Sequence, residues 1–82
     1  MSLLWGLRKM RSLEISNEPI ELYKVLKLDG MVSSGGAAKS EIADGRVVVN
    51  GSVETRKRKK IVSGDIVEYG NDKVQINLRN GP

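Results

Sequence analysis

The chain has 82 residues, a formal net charge of +4, and neither cysteine nor histidine. A domain of this length buries roughly 60% of the surface its unfolded chain exposes, so one modest core fits and a separate catalytic lobe does not. The composition excludes a disulfide framework, a thiolate or imidazole metal site, and the usual nucleophile–base pairs.

The charge is localised. Residues 1–12 carry +3, residues 13–55 carry −3, residues 56–60 carry +5 and residues 61–82 carry −1. Without the five-residue run the protein would be slightly acidic, so its basicity belongs to one place, as in a binding patch. No apolar run approaches the ~20 residues that cross a bilayer. The opening "MSLLWGLRKMRS" puts its cations after its apolar part, the reverse of a secretory signal. A cytoplasmic protein with no membrane partner is expected.

In chain order, residues 1–12 read as an N-terminal arm, with Leu3, Leu4, Trp5 and Leu7 interrupted by Gly6. Residues 13–80 read as a single domain. "SLEIS" is a short extended stretch in which Leu13 and Ile15 alternate with polar neighbours. Pro19 fits the first position of a helix over "PIELYKVLKLD", with Asn17 or Glu18 as cap. Leu22, Val25 and Leu26 form its apolar face, and Gly30 supplies a left-handed stop.

A second helix starts at Ser33 or Ser34, either of which can cap it. It shows a thin stripe of Ala37, Ala38 and Ile42 and ends at Gly45. The rest is predicted sheet. "RVVV" enters the hairpin signal "NG", and "SVET" follows. "VSGD" is a turn, "DIVEY" a strand and "GND" a turn. "KVQINL" alternates Val74, Ile76 and Leu78 against Lys73, Gln75 and Asn77. A short strand, two helices and a cluster of strands make an α+β domain.

Little of this supports catalysis. The acidic residues form no calcium-loop spacing. Asp29, Asp44 and Asp65 each adjoin a glycine and read as turn or cap residues. "SSGG" before a helix can offer backbone N–H groups to a phosphate, but it lacks the Walker lysine and any dinucleotide fingerprint. No cofactor, metal or small-molecule substrate is expected.

The informative segment is Arg56, Lys57, Arg58, Lys59 and Lys60. In a strand these five would alternate between faces, and neither face could be buried, because an unpaired buried cation costs several kcal/mol. The segment is therefore an exposed loop or a protruding edge. Its place between two strands argues against an import signal read as a flexible peptide. An anionic polymer would relieve the mutual repulsion, provided that the cations are held together and not paired off against the molecule's own carboxylates. The three aromatics, Trp5, Tyr23 and Tyr69, hardly supply a stacking platform for single-stranded bases. Recognition through backbone phosphates and shape, as with structured or double-stranded RNA, is the expectation.

The stretch "SSGGAAKSEIADGRVVVNGSVETRKRKKIVSGDIV" resembles the S-four-type RNA-binding domain, or alpha-L motif, and most of all its stand-alone bacterial YbcJ-like members. The resemblance covers about residues 20–68. It is carried by Ser34, Ala38, Lys39, Ile42, Gly45, Val47, Val49, Asn50, Gly51, Gly64, Asp65 and Val67. It implies two packed helices on a small, mostly antiparallel sheet, with RNA bound across the helix pair and the adjoining basic loop. On that basis Lys39 is a phosphate contact near the Ser33/Ser34 helix start, and Arg56, Lys57 and Arg58 belong to the shared "ETRKR" stretch. Many members have Arg directly after the helix-start Ser, where this chain has Gly35.

These lines converge on a non-catalytic RNA-binding protein whose expected partner is structured or double-stranded RNA, with ribosomal RNA as one candidate. Its phosphate contacts would be Ser33, Ser34, Lys39, Arg46, Arg56, Lys57, Arg58, Lys59 and Lys60. The alternative is an adaptor that docks an acidic protein through the same run, with "LLWGL" as an apolar anchor.

Overall fold

Leu22, Val25 and Leu26, the stripe expected of the first helix, are fully buried in a computed structural model that describes residues 10–79. Nine elements follow one another: β1 (Arg11–Ile15), β2 (Ile20–Glu21), α1 (Leu22–Asp29), α2 (Gly35–Ala43), β3 (Val47–Val49), β4 (Ser52–Val53), β5 (Lys60–Ile61), β6 (Ile66–Tyr69) and β7 (Asp72–Leu78). The main sheet has the order β1-β7-β6-β3-β4, and β2 pairs with β5 in a separate two-stranded ladder. Every pairing is antiparallel except β1 with β7. This is the α+β arrangement of two packed helices on a mostly antiparallel sheet.

One core joins the layers. Leu22, Val25 and Leu26 of α1 and Ala38 and Ile42 of α2 meet Ile15, Val47, Val67, Val74 and Ile76 of the sheet and Ile61 of β5. Val74 and Ile76 are fully buried, as the alternation in β7 requires, while Leu78 is only partly covered. Burying a side chain of this kind contributes roughly 1.5–3 kcal/mol.

The local signals that specify the ends of elements act as expected. Gly30 closes α1 at φ 84°, and its N–H and that of Met31 reach back to Lys27 and Leu26. Ser34, the second of the two candidate caps, accepts from the N–H of Ala37 at 3.1 Å. Asn50 and Gly51 have φ of 51° and 86°, the paired left-handed residues of a type I′ hairpin turn between β3 and β4.

Four expectations need correction. The first helix begins at Leu22, not Pro19. Residues 20 and 21 are instead strand β2, paired with Ile61 and Lys60. Neither Asn17 nor Glu18 caps it, and the Glu18 carboxylate accepts from the Ser63 N–H at 2.7 Å. Strand β1 begins at Arg11, so the last two residues read as arm lie in the sheet beside β7. The rest of the arm, residues 1–9, lies outside the described residues, as does position 80.

Asp29 is neither the turn nor the cap residue expected, since Gly30 is the C-cap. It ends α1, its side chain is 6% exposed, and it takes the Arg11 guanidinium at 2.9–3.0 Å. Arg11 also reaches Asp72 at 3.3 Å, so one side chain ties β1 to α1 and to the start of β7. Asp44 is the C-cap of α2, and Asp65 shapes the turn before β6 by accepting from the Val62 N–H at 2.9 Å.

Candidate functional site

A helix start leaves N–H groups without partners. Glu21 precedes α1 but makes no side-chain cap. The donors are met instead by the basic run, since Leu22 N–H donates to the Lys59 carbonyl at 2.9 Å and Tyr23 N–H to the Lys57 carbonyl at 3.0 Å. The run is thus an exposed loop with a turn at 57–58. Its backbone is fixed to the first helix, and its last residue, Lys60, enters β5. Fully buried Ile61 anchors that end in the core. At the other end, Glu54 N–H donates to the Val47 carbonyl at 2.9 Å. Both flanks are tethered, so the cations stand beside the helix pair and not on a free tail.

Tyr23 is where the three chain segments meet. The Lys39 ammonium of α2 lies 4.6 Å from its ring centroid, the Arg58 guanidinium 5.6 Å and the Lys24 ammonium 5.9 Å. These distances are within the ~6 Å over which a ring face attracts a cation. The electron-rich ring offsets part of the repulsion among three like charges. Gly35 lies against the same ring, where a Cβ would sit 3.7 Å from Cε2. Lys39, the start of α2 and the basic loop, joined in sequence only by resemblance, are neighbours in space.

The five cations of the run are not equivalent. Arg56 is held by Glu54, with Nε to Oε2 at 2.9 Å and Nη2 to Oε1 at 3.2 Å, and its backbone N–H also donates to Oε2 at 3.0 Å. These bonds hold the Glu54 carboxyl at about 2, against an ordinary value of 4.5, with the Arg56 side chain the largest cause and its backbone N–H the next. Arg58 pairs with Glu21 at 3.1 Å, and Lys24 shares that carboxylate at 4.0 Å. Two of the five are therefore tied to internal carboxylates, contrary to the condition that all five be free. Among the described residues, no carboxylate lies within 4 Å of Lys57, Lys59, Lys60 or Lys39. Exposed pairs such as Arg58–Glu21 contribute only about 0–1 kcal/mol, so a phosphate can replace the carboxylate at small cost.

Arg46 stands apart. It lies beyond the far end of α2, roughly 13 Å of helix away from Ser34, with its Nε 3.8 Å from Glu41. Nothing among the described residues joins it to the Tyr23 cluster. Ser33 is exposed, and the Ser34 hydroxyl is already committed to capping. Sequence reasoning missed Tyr23, Lys24 and the two carboxylates Glu21 and Glu54. The available signal was an aromatic one position off the buried stripe of an amphipathic helix, on its polar side.

The S4 domain family model matches residues 13–77. YbcJ of Escherichia coli (strain K12) is 46% identical over 68 residues, which is 82% of this chain and 97% of YbcJ. A Bacillus subtilis (strain 168) protein named "Probable ribosome maturation protein RlbA" is 38% identical over 56 residues, 68% of this chain and 79% of that protein. The solution structure of E. coli YbcJ, described as revealing an alfaL motif involved in RNA-binding, superposes with a TM-score of 0.66 at 44% identity. That match covers 84% of this chain and 89% of the other.

Proposed function

The chain belongs to the S4 domain family and has the alpha-L fold, and from that premise we propose that it is a non-catalytic cytoplasmic RNA-binding protein. It recognises structured RNA through backbone phosphates. The carrying observation is the pair of bonds from Leu22 and Tyr23 to the loop carbonyls, with Lys39 and Arg58 gathered on the Tyr23 ring. They support a continuous cationic surface over α1, the α2 start and the loop. Lys39, Lys57, Lys59 and Lys60 contact phosphates directly. Arg56 and Arg58 join them when phosphate displaces Glu54 and Glu21. The first-turn N–H groups of α2, next to Ser33 and Ser34, add donors. Arg46 makes a peripheral contact with RNA long enough to pass the end of α2.

The relatives support the class of partner. One is described by a motif involved in RNA-binding and another is named for ribosome maturation, which supports structured ribosomal RNA as the first candidate ligand. A sequence with no histidine or cysteine supports binding without chemistry. Replacing Arg56, Lys57, Arg58, Lys59 and Lys60 together by Ser tests the assignment. Binding to a structured RNA is expected to be lost while the fold, read by circular dichroism, is kept. Undiminished binding contradicts the assignment. A partner retained after nuclease treatment would favour the acidic-protein adaptor instead.

A further inference from the structure

The outer side of α1 is not uniformly charged. Leu28 is 58% exposed, and with Ile20 and the Tyr23 ring it lines a cleft of about 520 Å³ that is completed by Gly35, Lys24 and Lys27. A second cleft of about 590 Å³ shares Ile20, Lys24 and Leu28 and is lined also by Lys60, Glu14 and Glu21, so the first is the one that suits an anionic ligand. Both volumes fall within the ~300–1,000 Å³ of small-molecule sites. Gly35 leaves the Tyr23 ring edge uncovered by any side chain of its own.

A phosphate alone would not cover this apolar wall, and a continuous duplex keeps its base faces stacked inside. The complementary ligand has a flat apolar face with an anion attached to it. The geometry points to a pocket for one unstacked nucleotide of the RNA, its base against Leu28, Ile20 and Tyr23 and its phosphate on the Lys24 and Lys27 rim. The cations gathered on Tyr23 place this pocket next to the phosphate-binding loop. A base swung out at a bulge therefore enters while its flanking phosphates stay on the lysines. The single aromatic in the pocket makes this one contact and not a platform for a strand of bases, so the ligand is a bulged hairpin and not single-stranded RNA. The inference rests on the RNA-binding reading.

The test compares two RNA hairpins of equal length, one fully paired and one with a single bulged nucleotide. Both are titrated by fluorescence anisotropy against wild type, Leu28→Ser, Tyr23→Phe and Tyr23→Ser, each checked for folding by thermal melting. Wild type is expected to bind the bulged hairpin about tenfold more tightly, as covering exposed Leu28 and the open edge of the Tyr23 ring with one base predicts. Leu28→Ser and Tyr23→Ser lose that preference and Tyr23→Phe keeps it. Leu28→Ser leaves the affinity for the paired hairpin unchanged. Equal binding of both hairpins by wild type overturns the pocket and leaves the RNA-binding reading intact. A preference that survives Leu28→Ser also overturns it. Displacement of the bulged hairpin alone by an acidic, aromatic-containing peptide would give the cleft to a protein partner. Binding of neither hairpin overturns both readings.

Discussion

The backbone N–H of Tyr23 donates to the carbonyl of Lys57 at 3.0 Å, so the first turn of the first helix is completed by a loop that follows the second. A helix start elsewhere takes a Ser, Thr, Asp or Asn side chain for this purpose. Here the acceptors are the carbonyls of two lysines, and the cap that stabilises α1 also positions the cations. Glu21, relieved of capping, turns its carboxylate toward Arg58 and Lys24.

Glu21 therefore competes with phosphate. Glu21→Gln is expected to tighten RNA binding at low salt by up to about fivefold, the equivalent of the ~1 kcal/mol that bounds an exposed ion pair. It also steepens the salt dependence, because Arg58 no longer needs to exchange partners. Glu68→Gln removes a charge from β6, where no ion pair involves it among the described residues, and is expected to have less effect. Equal effects of the two substitutions, measured by anisotropy, would reduce the role of Glu21 to net charge.

Asn50 and Asp65, both in the stretch that marks the family resemblance, serve the scaffold. Asn50 Nδ2 donates to Asp65 Oδ1 at 3.0 Å, and Asn50 Oδ1 accepts from the Ile66 N–H at 2.9 Å. Asn50 does this from a left-handed backbone, which Asn tolerates and Ala resists. Asn50→Ala should cost about 2–3 kcal/mol in chemical denaturation, from two hydrogen bonds and the left-handed strain. Asn50→Gly should cost less, and neither should alter the salt slope of RNA binding. A changed slope would place Asn50 in the interface.

Glu54 gives a pH signature. Its folded value of about 2 lies below the ordinary 4.5, so the native state favours the carboxylate. Its contribution to stability is full above about 4.5 and is lost as pH falls from there through about 2. The stability gap between wild type and Glu54→Gln should shrink across that window. Carbon-detected NMR should find the Glu54 midpoint near 2, returning toward 4.5 in Arg56→Ala. A wild-type midpoint near 4.5 would mean that the pair does not persist in solution and that Arg56 is free for phosphate.

Elements whose signals are local were legible in the sequence. The Leu22/Val25/Leu26 stripe, the Ser34 cap, the Asn50–Gly51 turn and the alternation of β7 each depend on residues a few positions apart. The start of α1 was not legible, because the residues that decide it, Lys57, Lys59 and Ile61, come from the far side of the second helix. The parallel pairing of β1 with β7 joins the two ends of the domain and has no sequence period of its own. For the site, residue type marked the cations, and resemblance linked Lys39 to the loop. The pairing of Arg56 and Arg58 with Glu54 and Glu21 depends on side-chain directions that a charge count does not contain. A total of three aromatics carries no sign of Tyr23, whose role comes from its place on the face of α1 that meets Lys39 and Arg58.

Affinity for a structured ribosomal RNA hairpin, measured across a range of salt concentrations, is the most direct test of phosphate recognition by the loop. If about five phosphates are neutralised, log Kobs against log salt should fall with a slope of about −3.5 to −4.5. A flat dependence would contradict it.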